Sequence, residues 1–169
     1  MAPKGSAFLY ARREYHDSLE PLIVSWGYQF KPDFSTGSCF LDNYKWLGAR
    51  DLAAFLSVPA AIEFQRQQKW DTVRDRCHHL ASQTRRRINA LTRYESICPE
   101  TSKWFGEMCA VHLPDTDLPT LKTHPYDEFR IEVPVFNCNG RLLIRISIQR
   151  YNDQADADDL ITALENLLP

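Results

Sequence analysis

Asn139-Gly140 is the pair of residues that most restricts how this chain can fold. A two-residue type I′ turn needs φ above zero at both central positions, and Asn-Gly meets that need at little cost. The pair joins two runs with period-two patterning. Phe129, Ile131, Val133 and Val135 alternate with Arg130, Glu132 and Pro134, while Leu142, Ile144, Ile146 and Ile148 alternate with Leu143, Arg145, Ser147 and Gln149. The expected result is a hairpin with one aliphatic and one more polar face. A lone hairpin is barely stable in water, so neighbouring elements must cover that aliphatic face. Residues 107–113 read as a further strand and residues 117–123 as a short helix. Asn152 or Asp153 then caps a helix that places Leu160, Ile161, Leu164, Leu167 and Leu168 on one side. Its acids, Asp153, Asp156, Asp158 and Asp159, sit at the end where the helix dipole favours them. From Trp104 onward the order is β-α-β-β-α, an α+β arrangement of helices on a small sheet.

The middle of the chain is helical in pattern. Asp51 is positioned to cap a helix over residues 51–68, with a kink or break expected at Pro59. A second helix follows Asp71, where Val73, Cys77, Leu80, Ala81, Thr84, Ile88 and Leu91 recur at three and four residues. The first third reads differently. Short strands are expected at residues 7–11 and 22–26, and the Pro, Ser, Thr and Gly residues within 31–43 mark a loop. The expected domains are 1–50, 51–103 (connecting helices) and 104–169 (a small α+β domain).

Net charge excludes some functions and cysteine spacing excludes others. The chain carries −2 overall, so no global basic field draws it to nucleic acid or to membranes. Residues 66–93 hold eight basic residues against Asp71 and Asp75, a local charge of +6 that leaves −8 for the remainder. Five cysteines, Cys39, Cys77, Cys98, Cys109 and Cys138, include no C-x-x-C pair, which argues against a disulfide scaffold or a zinc ribbon. Reduced thiols and a cytoplasmic location are expected. The longest apolar stretch, 52–62, is too short to span a bilayer.

Several residues invite a chemical reading. Arg145 sits mid-strand opposite four aliphatic residues, where its guanidinium can grip a carboxylate through two parallel hydrogen bonds. The alternative is an ordinary pair with Glu132 across the hairpin. His78 and His79 are neighbours on a helix and point about 100° apart, so they do not chelate one ion, and no metal site is expected. Arg85-Arg86-Arg87 reads as a solvated helix face rather than a phosphate or RNA patch, since no stacking aromatics accompany it. Cys138 lies at the hairpin turn with no local base to activate it.

Taken in order, a set of short segments resembles the C-terminal part of the class V, fold-type I pyridoxal-phosphate enzymes, in the isopenicillin N epimerase branch. They are residues 2–10 (Ala-Pro-Lys-Gly-Ser-Ala-Phe-Leu-Tyr), Val24-Ser25-Trp26-Gly27, Trp46-Leu47-Gly48-Ala49-Arg50-Asp51 and Val58-Pro59-Ala60-Ala61-Ile62. Tyr126 through Val135, Leu143-Ile144-Arg145-Ile146-Ser147 and Tyr151-Asn152 complete the set. The resemblance covers essentially the whole chain, and its specificity lies in the combination.

The resemblance implies a homodimeric enzyme acting on amino acids by epimerisation or amino transfer, with pyridoxal 5′-phosphate as cofactor. It implies that residues 104–169 are the small domain and residues 1–50 a strand-and-loop remnant of the large one. It assigns Arg145 to the substrate α-carboxylate and Gly48, Ala49 and Arg50 to the loop that reaches the cofactor phosphate of the other subunit. Ala49 stands where relatives carry threonine, a departure that removes one charge-assisted hydrogen bond worth about 1.5–3 kcal/mol. The cofactor-bearing lysine of such enzymes belongs to a His-Lys-Trp-like motif just before the Ala-Pro-x-Gly segment, and Lys4 lies after that position. The chain alone is therefore expected to be inactive, with no catalytic residue of its own, and to need a large-domain partner or a second subunit. The alternative is a stand-alone interaction module, with Phe8, Tyr10, Trp26, Tyr28 and Trp46 on its partner surface. The superfamily also contains cysteine desulfurases with a loop nucleophile near Cys138, but a tight hairpin gives a thiolate no reach.

Overall fold

The computed structural model describes residues 4–28, 35–45 and 48–169. They form two compact units, Met1–Arg66 and Gln67–Pro169.

In the first unit, residues 7–11 and 22–26 are not strands. A strand exists only as part of a ladder, and no described segment of this unit pairs with either. Phe8 and Leu22 stand almost wholly in solvent. A 3-10 helix spans Arg13–Ser18 and the first α-helix, α1, spans Cys39–Lys45. The loop expected over 31–43 therefore stops at Ser38; residues 31–34 lie outside the described set. The Ser and Thr residues that signalled a loop are the cap of α1. Ser38 Oγ accepts from the Leu41 amide, and the Asp42 carboxylate turns back to accept from Ser35 Oγ and from both Thr36 N and Oγ1. Phe40 is the buried anchor, stacked on His16 at 4.1 Å. Gly27 packs against the backbone of α1, and a Cβ there would lie 1.6 Å from the Asp42 carbonyl oxygen.

The helix expected over 51–68 is two helices, α2 (Ala53–Leu56) and α3 (Val58–Gln67). The break falls at Ser57, which leaves Pro59 in the first turn of α3, where its missing N–H costs nothing. Asp51 accepts from the Ala53 amide at 2.8 Å.

In the second unit, α4 (Trp70–Thr92) packs on a sheet of β1 (Met108–His112), β2 (Val135–Cys138) and β3 (Arg141–Ser147). The sheet is antiparallel in the order β1-β3-β2. It is joined by α5 (Leu118–Phe129) and α6 (Gln154–Leu167), giving the β-α-β-β-α order. Leu142, Ile144, Ile146 and Ile148 are buried as their alternation requires, alongside Cys109, Val111 and Val135. Cys77, Leu80, Ala81 and Ile88 of α4 and Leu160, Ile161 and Leu164 of α6 complete this core. Asn139 and Gly140 carry φ of 52° and 77°, the turn that their sequence demands. At α6, Asp153 and Asp156 close a reciprocal capping box.

Two expectations change here. The helix expected at 117–123 starts on its Asp117 cap but runs through Pro125 to Phe129. Proline removes one ladder hydrogen bond, and its ring is buried in exchange. Residues 129–134 therefore do not enter the sheet, and β2 begins only at Val135.

The arginine run also differs from a solvated face. Arg85 is 1% exposed. Its guanidinium donates to the Cys98 carbonyl and to Cys98 Sγ, lies 4.7 Å from the Phe105 ring and 4.0 Å from the Glu100 carboxylate. Arg86 pairs with Glu100 and Arg87 with Asp158 across to α6. Two carboxylates, Glu100 and Asp158, thus face these three arginines within the unit. No helix among the described residues is long and apolar enough to cross a membrane.

Candidate functional site

The late start of β2 opens a cleft. Pairing between β2 and β3 ends at Val135↔Ile144, after which one further bond joins Arg145 N to the Pro134 carbonyl. Beyond it, β3 has no partner on that side among the described residues. The gap is bordered by residues 129–134, by the last residues of β3 and by the first turn of α6, and encloses about 410 Å³.

Arg145 lines this cleft and is exposed. Glu132 lines it too, but no carboxylate among the described residues lies within ion-pair distance of the Arg145 guanidinium. The cross-hairpin pair with Glu132 is therefore absent; across the ladder Arg145 faces Ala110. A surface arginine with five donors and no internal acceptor is available to an external anion. The turn that follows its strand is held by side chains. Asn152 Oδ1 accepts from Gln149 N, and Asn152 Nδ2 donates to Asp156, which also accepts from the Asp153 amide. These bonds fix the turn from β3 into α6, beside the cleft.

Gly48, Ala49 and Arg50 belong to the other unit. Gly48 has φ +108° and open space around it, Ala49 is exposed, and Arg50 lies over the Phe55 ring at 4.6 Å with no carboxylate partner among the described residues. A left-handed glycine followed by an uncompensated guanidinium suits an anionic group, and Ala49 offers it a backbone amide but no hydroxyl.

The remaining candidates are quieter. His78 Nδ1 bonds the Gly106 carbonyl and its ring packs on Phe105, while His79 is exposed. No cluster of three His, Cys, Asp or Glu residues suited to a metal occurs among the described residues. Cys138 ends β2 opposite Arg141 and is exposed. Burial pushes the Cys109 thiol up to about 11. Phe8 (93%), Tyr10 (77%) and Trp26 (75%) are exposed and Tyr28 partly so; Trp46 lies outside the described residues.

Sequence reasoning gave no role to Arg130, which also lines the cleft. Its signal is weak because it sits in a run whose alternation reads as strand. In the structure it is the left-handed C-cap of α5, with φ 59°, a place where glycine or asparagine is the usual marker.

Comparison with known proteins accords with the short-segment resemblance. The model of the aminotransferase class-V family matches residues 1–160. An isopenicillin N epimerase from Amycolatopsis lactamdurans is 35% identical over 177 aligned residues, covering 99% of this chain and 44% of that protein. Another, from Streptomyces clavuligerus, is 29% identical with the same coverage. A probable chloroplastic L-cysteine desulfhydrase of Arabidopsis thaliana is 28% identical, with 37% of its length covered. The chain thus spans less than half the length of the curated relatives it matches. With the family model matching residues 1–160 and a 35% identical relative aligned to 99% of its length, the chain belongs to the aminotransferase class-V family.

Proposed function

We propose that this chain forms the substrate-carboxylate side of a pyridoxal-phosphate enzyme that epimerises an amino-acid substrate or transfers its amino group. The observation that carries the reading is Arg145, an unpaired guanidinium on a braced strand at the edge of a cleft. When bound, the cofactor supplies an electron sink for loss of the substrate Cα proton. The contribution of this chain is orientation. Arg145 takes the α-carboxylate through two parallel hydrogen bonds, which fixes the Cα–H bond in direction. The Gly48–Ala49–Arg50 loop serves the cofactor phosphate of a partner subunit, with Arg50 as its cation and without a side-chain hydroxyl. No His-Lys-Trp occurs in the 169 residues, so in this reading the covalent lysine comes from elsewhere, in a large-domain segment or partner.

Two measurements test the proposal. Borohydride reduction of the cofactor-treated chain followed by intact-mass analysis is expected to give no stoichiometric lysine adduct. A single adduct abolished by one lysine substitution would overturn the placement of that lysine outside these residues. Butyrate titration by NMR is expected to shift amides around Arg145, and to lose that effect in Arg145→Gln.

A second reading draws on the exposed apolar side chains Phe8, Leu22 and Trp26, which suit a stand-alone interaction module. Size-exclusion chromatography separates the two. A clean monomer that unfolds cooperatively favours the module, and aggregation favours a chain that lacks its large-domain partner.

A further inference from the structure

Asn139-Gly140 occurs once in the sequence, and it carries chemistry as well as a turn. The backbone nitrogen that follows an asparagine can attack the side-chain Cγ and close a five-membered imide. A side chain on the attacking residue hinders that approach, and glycine has none. The other five asparagines precede Tyr44, Ala90, Cys138, Asp153 and Leu167. Asn139 and Gly140 are both exposed, so solvent base and water reach them.

The fold opposes this reaction in two ways. The φ values of 52° at Asn139 and 77° at Gly140 are those of a type I′ turn. In such a turn ψ of the first central residue is about 30°. At that angle the Gly140 nitrogen lies nearly anti to the Asn139 Cβ across the Cα–C bond. Ring closure needs the two nearly eclipsed, so the turn must first open. The second obstacle is a side chain. Gly140 N donates to Asn137 Oδ1 at 3.0 Å. This bond holds the nitrogen in its turn position and keeps its proton engaged, whereas attack requires that proton to leave. Asn137 is itself exposed, on β2 opposite Leu142.

We infer that Asn139 is a site of deamidation and that Asn137 guards it. Once the turn opens, Gly140 N loses its proton to solvent base and bonds to Asn139 Cγ. The Cγ–Nδ2 bond breaks and ammonia leaves. One water then cleaves either C–N bond of the imide, giving aspartate or isoaspartate, and no further reactant is consumed. Isoaspartate carries the main chain through its own Cβ and Cγ, one atom longer than before. A two-residue loop has no slack for that atom, so the closing pair Cys138↔Arg141 takes the distortion. Strand β3 keeps its ladder with β1 on the other side, which leaves β2 as the strand that loosens.

The test follows the amide-to-acid mass gain in the 169-residue chain at mildly alkaline pH, located by peptide mapping. The expected reacting residue is Asn139, slow in the folded chain and fast in urea. Folded Asn137→Ala should react about two- to tenfold faster than wild type, the worth of one neutral hydrogen bond. Asn137→Asp keeps an oxygen acceptor and should stay near the wild-type rate. In urea all three chains should react alike. An unchanged rate in folded Asn137→Ala, an acceleration that persists in urea, or an acceleration equally large in Asn137→Asp overturns the guard. Faster reaction accompanied by lost amide-exchange protection across β3 overturns it too, since the hairpin has then melted as a whole. Deamidation confined to another asparagine, or a wild-type chain that reacts as fast folded as in urea, overturns the inference entirely.

Discussion

Replacing Arg85 tests whether the buried arginine of α4 is structural in the way its surroundings imply. At 1% exposure, its guanidinium is wholly removed from water. It donates to the Cys98 carbonyl and sulfur, and lies against Phe105 with Glu100 at 4.0 Å. Losing the charge-assisted bond to the carbonyl costs about 1.5–3 kcal/mol. Losing the desolvated cation–π contact costs about 1–2 kcal/mol more. Truncation to alanine adds a cavity, whereas methionine refills much of the space and removes the Nε, which has no hydrogen-bond partner among the described residues. We expect Arg85→Ala to cost about 4–5 kcal/mol and Arg85→Met about 2 kcal/mol. Arg86 is mostly exposed beside Glu100, so Arg86→Ala should cost less than about 1 kcal/mol. In urea titrations followed by far-UV circular dichroism, a loss of 4 kcal/mol moves the midpoint by roughly 2–3 M at a typical slope. If Arg85→Met and Arg86→Met melt within about 0.5 kcal/mol of one another, the guanidinium is not structural and the account of this core is refuted.

Three further outcomes follow from the geometry. Gly27→Ala should disrupt the turn over α1, because its Cβ would lie 1.6 Å from the Asp42 carbonyl oxygen; loss of amide-exchange protection over Cys39–Lys45 reads the effect, and wild-type protection would refute it. The Asp117 carboxyl is held below its ordinary range by the Thr120 hydroxyl and then the Thr120 amide, so its stabilisation is present above the unfolded value near 4 and is lost as pH falls through the lower folded value. Asp117→Asn should therefore flatten the acid limb of a stability-versus-pH curve, measured by thermal melts from pH 6 to about 2. At pH 8, iodoacetamide should alkylate the exposed Cys39 and Cys138 rapidly and leave Cys77 and Cys109 unmodified until the chain unfolds, since burial keeps both as thiols; peptide mass mapping would show the pattern.

Much of the second unit was legible because its signals are local. Asn139-Gly140 dictates the hairpin, the four aliphatic residues of β3 dictate its buried face, and Asp153 with Asp156 marks the start of α6. Pro125 and Arg130 were misleading for related reasons. A proline reads as a stop, yet the helix absorbs it by burying the ring, and an arginine at a left-handed cap carries none of the marking of glycine. The end of α5 and the start of β2 were thus misplaced together. Arg85 was legible in principle, since it lies four residues after Ala81 and three before Ile88 on the same stripe, but its charge and its two arginine neighbours suggested solvent. In the first unit the expected strands had the right composition and no ladder partner among the described residues, which no local pattern reports. Arg145 was singled out by its place on the strand and by the family resemblance, whereas the cleft it lines depends on where β2 begins.

That starting point has an evolutionary consequence. Residues 130–134 border the cleft but, apart from the Pro134 carbonyl, answer to no strand register. A residue inserted within a paired strand would turn every later side chain to the opposite face. The same insertion in this stretch would be taken up before Val135, leaving the ladder in place. Relatives that share this sheet can therefore vary the length and charge of one wall of the cleft, while the strand bearing Arg145 stays as it is.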